Sequence, residues 1–330
     1  AIKNSRIKNS IAIGINPDSI EWTQLANYLL ENSTKIVTLD YSNYGPSLMS
    51  QLVASANNCV SEWFVYNKAS LEHVNRVKWL LDVDILNPVH LGANVVYQTL
   101  NGIASGSPLT GEMNSIPNLY YIKLSYLEIM LNKDPSRATM ADFHENVRLV
   151  VYGDDLIMSI HDNVIENFNA ITIHDALQAH GIKVTSAQKD AKLEPYSDIF
   201  NSTFLKRSFV PHPCRPGIYL APVDRVSVEE CVNWIKAGVN EDEALLEVCR
   251  ASLDLAFGHG AEYYENHYKN LKTALNRLGL SITCKTWQER DEEIFGNKDE
   301  IVDFDSYSSK LKKQTNMDWF YRLGDLVVNV

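Results

Sequence analysis

The tetrapeptide Tyr152-Gly-Asp-Asp155, set between the apolar β-prone runs 147–152 and 156–160, constrains this chain more than any other feature. Two such runs around a Gly-Asp pair form a hairpin, because glycine supplies the positive φ that a two-residue turn demands. Both carboxylates then stand at its tip. Far upstream, residues 35–39 read as a short β-branched strand running into Asp40. Adjacent strands of one sheet would bring Asp40, Asp154 and Asp155 together. Clustered carboxylates repel unless cations lie between them, and hard oxygen ligands with room for water and phosphate suit Mg²⁺ or Mn²⁺. Two ions about 3.5–4 Å apart can activate an attacking hydroxyl and stabilise a leaving oxygen in an in-line phosphoryl transfer. Taken alone, paired aspartates in a glycine turn also describe a plain solvated hairpin tip.

A second constellation lies between these aspartates. Ser105-Gly106-Ser-Pro-Leu-Thr110-Gly-Glu-Met-Asn114 puts two hydroxyls, a permissive glycine and an amide on a loop and the first turns of a helix, groups that can approach a ribose and a phosphate closely. By itself it is also an ordinary capped helix start. Around it, Asp18-Ser-Ile-Glu21 reads as a capping box ahead of Trp22, Leu25, Ala26, Leu29 and Leu30 at helical spacing. Further helices are expected over 47–64, from the loop at 102–107 through Met130 with Pro117 interrupting it, and over 165–180 before Gly181. Residues 182–185 and 203–209 read as a strand pair. Beyond Val226 only helical runs follow, at 228–235, 244–257 and 262–278. The first 220 or so residues are thus mixed α/β and the remainder mainly helical.

Composition limits the partners. Thirty Lys and Arg against 41 Asp and Glu give a net charge of −11, the wrong sign for a protein whose whole surface grips nucleic acid. A polyanion must be held locally, by a basic channel or through metal ions. Residues 289–305 carry −6 of that charge and read as a solvated acidic surface segment. No run of about 18 apolar residues and no signal-peptide pattern is readable, so no transmembrane segment and no secretion are expected. Five scattered cysteines without a Cys-x-x-Cys pair argue against disulfides or structural zinc and for a reducing compartment. The spacings His174/His180 and His259/His267 do not match helical metal-ligand pairs.

Together these motifs resemble those of the RNA-dependent RNA polymerases of picorna-like viruses, in particular the dicistrovirus- and iflavirus-like ones of insects. Asp40-Tyr-Ser-Asn-Tyr-Gly45 resembles motif A, 105–114 motif B, Tyr152–Asp155 motif C, Ser-Ala-Gln-Lys189-Asp motif D and Thr203-Phe-Leu-Lys-Arg207 motif E, in order over about 170 residues; the stretch from Ala12 to Asp18 is similar to the one before motif A. The resemblance implies an α+β palm with an antiparallel sheet and flanking helices, followed by a helical thumb, in a right-hand polymerase lacking most of the fingers. It divides the chain into 1–34 (entry to the palm), 35–220 (palm) and 221–330 (thumb).

The implied chemistry is template-directed RNA synthesis by nucleotidyl transfer, as in viral genome replication from a polyprotein. Asp40 and Asp154 would bind two Mg²⁺ or Mn²⁺ ions, with Asp155 a weaker ligand and the Tyr41 carbonyl a backbone ligand. Tyr41, Gly45, Ser105, Gly106, Thr110 and Asn114 would meet the incoming nucleotide or position the template. Lys189 would protonate the departing pyrophosphate, and Leu205, Lys206 and Arg207 would grip the primer. Implied partners are RNA template and primer, nucleoside triphosphates and other replication proteins, in the host cell cytoplasm at replication complexes.

Two departures matter. Relatives often carry a second aspartate five residues after the first metal ligand, where this chain has Gly45. The basic segment that covers the triphosphate would precede Ile11, where little sequence stands; this and the absence of an initial Met lead to the expectation of an N-terminally truncated or partial chain. A reverse transcriptase shares a Tyr-x-Asp-Asp tip, but motif B and 203–207 favour the RNA-only branch. A non-catalytic RNA-binding or scaffold remnant is the alternative of a different class, and the intact Asp40, Asp154 and Asp155 speak against it.

Overall fold

The computed structural model describes residues 6–104, 106–186, 192–235, 238 and 240–296. They form two compact units, one of 6–14 and 28–198, the other of 15–27 and 199–296. Among the described residues the units part at 14/15, 27/28 and 198/199.

The chain enters through α1 (Ile20–Leu30), whose Trp22, Leu25, Ala26 and Leu29 are wholly buried, the stripe their spacing predicts. Asp18 does not form the expected capping box. The Ser19 hydroxyl instead accepts from the Glu21 N–H at 3.2 Å and the Glu21 carboxylate from the Asn16 N–H at 2.8 Å. Asp18 is taken by Arg207, 2.7 Å away, in a charge-assisted bond.

In the first unit, β1 (Ile36–Tyr41) is followed by the single turn α2 (Tyr44–Ser47), then α3 (Ser50–Tyr66) and α4 (Leu71–Leu81). A two-stranded ribbon, β2 (Val89–Gly92) and β3 (Val95–Gln98), leads to the 24-residue α5 (Thr110–Lys133), which runs through Pro117 without ending. After α6 (Met140–Asn146) come β4 (Val147–Tyr152), β5 (Asp155–Ile160), α7 (Ala170–Ala179) and β6 (Val184–Ser186). The helix expected over 165–180 starts only at Ala170, because the Asn169 side chain accepts from the Ile171 and Thr172 N–H groups while the Thr172 hydroxyl accepts from the Asn169 N–H.

Four strands form one antiparallel sheet in the order β4-β5-β1-β6. Its pleat sorts the side chains. Val37, Leu39 and Tyr41 share one face with Leu156, Met158 and Ile160 and with Val147, Leu149 and Val151, and all nine belong to the core built with Met113, Ile116 and Tyr120 of α5. The other face carries Thr38, Asp40, Asp155 and Ser159. The free edge of β4 is covered where the Ala12 N–H donates to the Val151 carbonyl at 2.8 Å and the Val151 N–H to that of Ser10 at 2.9 Å.

In the second unit, β7 (Thr203–Phe204) pairs with β8 (Arg207–Ser208), and β9 (Val210–Pro211) with β10 (Tyr219–Leu220). The expected pairing of 182–185 with 203–209 is therefore replaced: β6 pairs with β1, and 203–208 folds back on itself. The Trp22 ring stacks on Phe209 at 4.6 Å. Helices α8 (Arg225–Glu230), α9 (Glu241–Ala256), α10 (Ala261–Arg277) and α11 (Trp287–Phe295) enclose a core of Leu253, Phe257, Tyr264, Leu275 and Trp287. Among the described residues no helix is long and apolar enough to cross a membrane.

Helix α11 departs from the reading of the acidic run as solvated surface at Asp291; Glu289, Glu292 and Glu293 are exposed, and 297–305 lie outside the described residues. A capping box, Thr286 with Glu289, starts it, and Asp291 is buried against the His212 Nε2, 2.6 Å away, and the Arg215 Nε, 2.9 Å away. The His212 Nδ1 accepts from the Cys214 and Arg215 N–H groups, so its proton lies on Nε2 and is donated to Asp291. Removing one partner of a buried polar pair leaves the other uncompensated. Asp291→Ala is expected to lower the unfolding free energy by about 3 kcal/mol, seen as a lower urea midpoint at unchanged slope.

Candidate active site

The site starts from the register of β1 on β5. Leu39 faces Leu156, so one step further Asp40 faces Asp155, on the sheet face away from the α5 core. Asp155 is also the closing residue of the β4–β5 hairpin, opposite Tyr152, and Asp154 is the second residue of its two-residue turn. Gly153 supplies the positive φ there, 63°. Asp40 and Asp154 are exposed and Asp155 half-buried. Neither the Asp40 nor the Asp154 carboxylate makes a hydrogen bond or ion pair among the described residues.

The hairpin tip is held from behind by α5. The Gly153 N–H donates to the Ser115 Oγ at 2.8 Å, and the Asn118 Nδ2 donates to the carbonyls of Gly153 at 3.0 Å and Asp154 at 3.1 Å. The Asn118 Oδ1 accepts from the Tyr41 hydroxyl at 2.9 Å, so the residue after Asp40 is tied to the same amide. Both Ser115 and Asn118 are fully buried. Burial, then the neighbouring Tyr121 and the Asp154 carboxylate, push the Tyr41 phenol well above its ordinary value and keep it a donor. The Tyr44 hydroxyl donates to the Asn114 carbonyl at 2.7 Å, and its ring meets Tyr41 edge-on at 4.8 Å. Two tyrosines of the Asp40 segment thus dock one turn apart on α5.

The loop before α5 is fixed in two ways. Gly102 has φ 93°, and a Cβ there would lie 2.8 Å from the Gly45 carbonyl oxygen, so only glycine lets the two turns touch. The Thr110 hydroxyl is directed to the carbonyls of Ser107 at 2.7 Å and Ala104 at 3.0 Å, closing the loop on itself. Gly106 stands exposed, and nothing lies within 4 Å of where its Cβ would be; the same space is open beside the half-buried Gly45. The Asn114 Oδ1 is buried without a hydrogen-bond partner, an arrangement that costs stability unless a ligand donor completes it.

Leu205 and Lys206 form the two-residue turn of the β7–β8 hairpin with φ 54° and 57°, unusual for non-glycine residues. Lys206 is exposed, whereas the Arg207 guanidinium binds Asp18 and donates to the Ala221 carbonyl at 2.8 Å. Ser105 and Lys189 lie outside the described residues.

As a donor set, two exposed unpaired carboxylates and a third on the facing strand suit a hard dication. Among the described residues, no three His, Cys, Asp or Glu side chains are grouped closely enough to hold an ion. Ser115, Asn118, Tyr44 and Gly102 are the members of the site that the sequence reading missed. The signal available for two of them was a spacing of four and seven residues from Gly111, which puts Ser115 and Asn118 on the same face of the helix as that glycine.

The comparisons with known proteins agree with one another. The profile of the family Viral RNA-dependent RNA polymerase matches residues 1–275. The genome polyprotein of Deformed wing virus is 37% identical over 296 residues, covering 89% of this chain and 10% of the polyprotein. The replicase polyprotein of Cricket paralysis virus is 26% identical over 285 residues, 84% of this chain and 16% of its own. Among solved structures, a sicinivirus 3Dpol RNA-dependent RNA polymerase matches with a TM-score of 0.67 at 21% identity, over 87% of this chain and 56% of that one, a likeness of fold. The chain therefore spans a small part of these polyproteins and just over half of that solved polymerase.

Proposed function

The chain belongs to the viral RNA-dependent RNA polymerase family, and from that premise we propose that it carries out template-directed RNA synthesis by nucleotidyl transfer. Residues 35–220 act as the palm and 221–330 as the thumb. The observation that carries this reading is the arrangement of Asp40, Asp155 and Asp154 on facing strands and the turn between them, with the Asp40 and Asp154 carboxylates making no hydrogen bond or ion pair among the described residues.

Asp40, Asp154, Asp155 and the Tyr41 carbonyl would hold two Mg²⁺ or Mn²⁺ ions, which when bound supply activation of the primer hydroxyl and stabilisation of the leaving pyrophosphate. The remaining roles belong to side chains. The orphaned Asn114 Oδ1 accepts a hydroxyl of the incoming ribose, and Thr110 keeps the loop at Gly106 shaped for close approach of phosphate. Lys189 protonates the leaving pyrophosphate, a task an ammonium performs while also stabilising its charge. Lys206, exposed on its turn, meets the primer backbone. The partners are RNA template and primer with nucleoside triphosphates, in the host cytoplasm at replication complexes.

Primer extension tests the reading. With a homopolymeric RNA template and a paired primer, only the complementary ribonucleotide should be incorporated, and only with Mg²⁺ or Mn²⁺ present. RNA binding without incorporation would favour the non-catalytic remnant, and incorporation without template would sink template direction.

A further inference from the structure

Helix α5 does more than carry Asn114. Its next buried turn makes every hydrogen bond that the Gly153-Asp154 turn makes to α5, and each goes to the main chain: Ser115 takes the Gly153 N–H, and the two hydrogens of the Asn118 amide go to the Gly153 and Asp154 carbonyls. The orientation of that amide is fixed on both sides. Two carbonyls demand donors, and the Tyr41 hydroxyl demands an acceptor. Asn118 therefore measures the offset between the residue beside Asp40 and the residue that bears Asp154. The direction in which a side chain leaves a two-residue turn is set by the turn's peptide planes, so holding both carbonyls sets the Cα–Cβ direction of Asp154, whose carboxylate has no partner among the described residues.

We infer that Asn118, assisted by Ser115, is a positioning residue that sets the Asp154 carboxylate against Asp40 for joint metal binding, an inference that rests on the metal role proposed above. Neither residue touches the ions or the substrate. Both are buried behind the hairpin, and they act through the peptide groups of the tip and through Tyr41.

A purely structural role would predict lost stability with unchanged metal affinity in whatever protein stays folded. Direct Mn²⁺ binding, followed by the electron paramagnetic resonance of free Mn²⁺, separates the two. Asn118→Asp keeps the shape and the acceptor for Tyr41 but replaces the donor facing both carbonyls with an oxygen, and Asn118→Leu removes every bond. Both are expected to weaken Mn²⁺ binding about tenfold, the scale on which residues behind metal ligands act. In primer extension they should raise the Mg²⁺ concentration needed for half-maximal rate by a similar factor while the nucleotide KM stays within about twofold. Ser115→Ala, which removes one oxygen, should weaken Mn²⁺ binding about fivefold, the worth of one hydrogen bond. Asp154→Asn serves as the reference. Wild-type Mn²⁺ affinity in folded Asn118 variants, beside a weakened Asp154→Asn, overturns this inference alone. Wild-type affinity in Asp154→Asn overturns the metal reading and the inference with it. Should the Asn118 variants not fold, Ser115→Ala decides: unchanged affinity rejects the inference and weakened affinity supports it.

Discussion

Asp154→Asn is expected to cut RNA synthesis about a thousandfold while leaving the fold intact, since stabilisation of the transferring phosphoryl through metal ligands is worth several kcal/mol. The structural basis for separating these effects is clear. Asp154 is exposed and its carboxylate makes no hydrogen bond among the described residues, while the Asn118 amide donates to its main-chain carbonyl. An isosteric amide removes the charge and nothing else. The melting temperature should therefore stay within about 2 °C of wild type, as for surface changes generally. Asp40→Asn should behave alike, and Asp155→Asn should cost less, about tenfold, as an outer ligand. Single-turnover extension at saturating Mg²⁺ is the measurement. Retained turnover in Asp154→Asn with the fold intact would remove that carboxylate from the chemistry.

The second large effect concerns sugar choice. The Asn114 Oδ1 is buried with no partner, so in the protein alone it is a liability, and a ribose hydroxyl that donates to it converts that cost into selectivity. Asn114→Ala should narrow the preference for ribonucleotides over deoxyribonucleotides by roughly 5- to 150-fold, the range spanned by about 1–3 kcal/mol for one unmatched polar group. The same substitution should leave thermal stability unchanged or slightly raised, because it deletes an unsatisfied acceptor. A general packing residue would behave in the opposite way. Gly45→Asp completes the comparison: nothing lies within 4 Å of a Cβ at Gly45, so the carboxylate that relatives often carry there is accommodated, and it should raise ribose preference if it reaches Asn114. Matched NTP and dNTP incorporation by the three proteins decides, and an unchanged ratio in Asn114→Ala would exclude it from sugar selection.

What the sequence made legible was local. A glycine turn between two apolar runs, a β-branched strand ending in Asp40 and an amphipathic stripe from Trp22 to Leu29 each need only a few consecutive residues to declare themselves, and these features recur in the structure. Pairings between distant segments were not legible. Strands β6, β7 and β8 are two or three residues long, too short for a period-2 pattern to specify a partner. The burial of Asp291 was hidden because its partner His212 lies 79 residues away, so counting acids in 289–305 registers charge but no environment. Ser115 and Asn118 looked like ordinary polar residues beside a motif, and only the placement of the hairpin tip on that helix gives them a task. Asp18 shows the converse error: a good local capping pattern lost to a guanidinium 189 residues further on.

The anchoring of two segments on successive turns of α5 also bears on how such a chain can vary. Tyr44 docks at Asn114, the hairpin tip at Ser115 and Asn118, and Tyr41 again at Asn118. One inserted or deleted residue between positions 114 and 118 would rotate everything beyond it by about 100° and shift it by about 1.5 Å along the axis. Tyr44 and Tyr41, separated by a fixed stretch of main chain, could not both follow. A length change in this stretch would therefore undo the docking of one segment or the other, whereas the ribbon of β2 and β3, largely exposed on both faces, could change length without disturbing it.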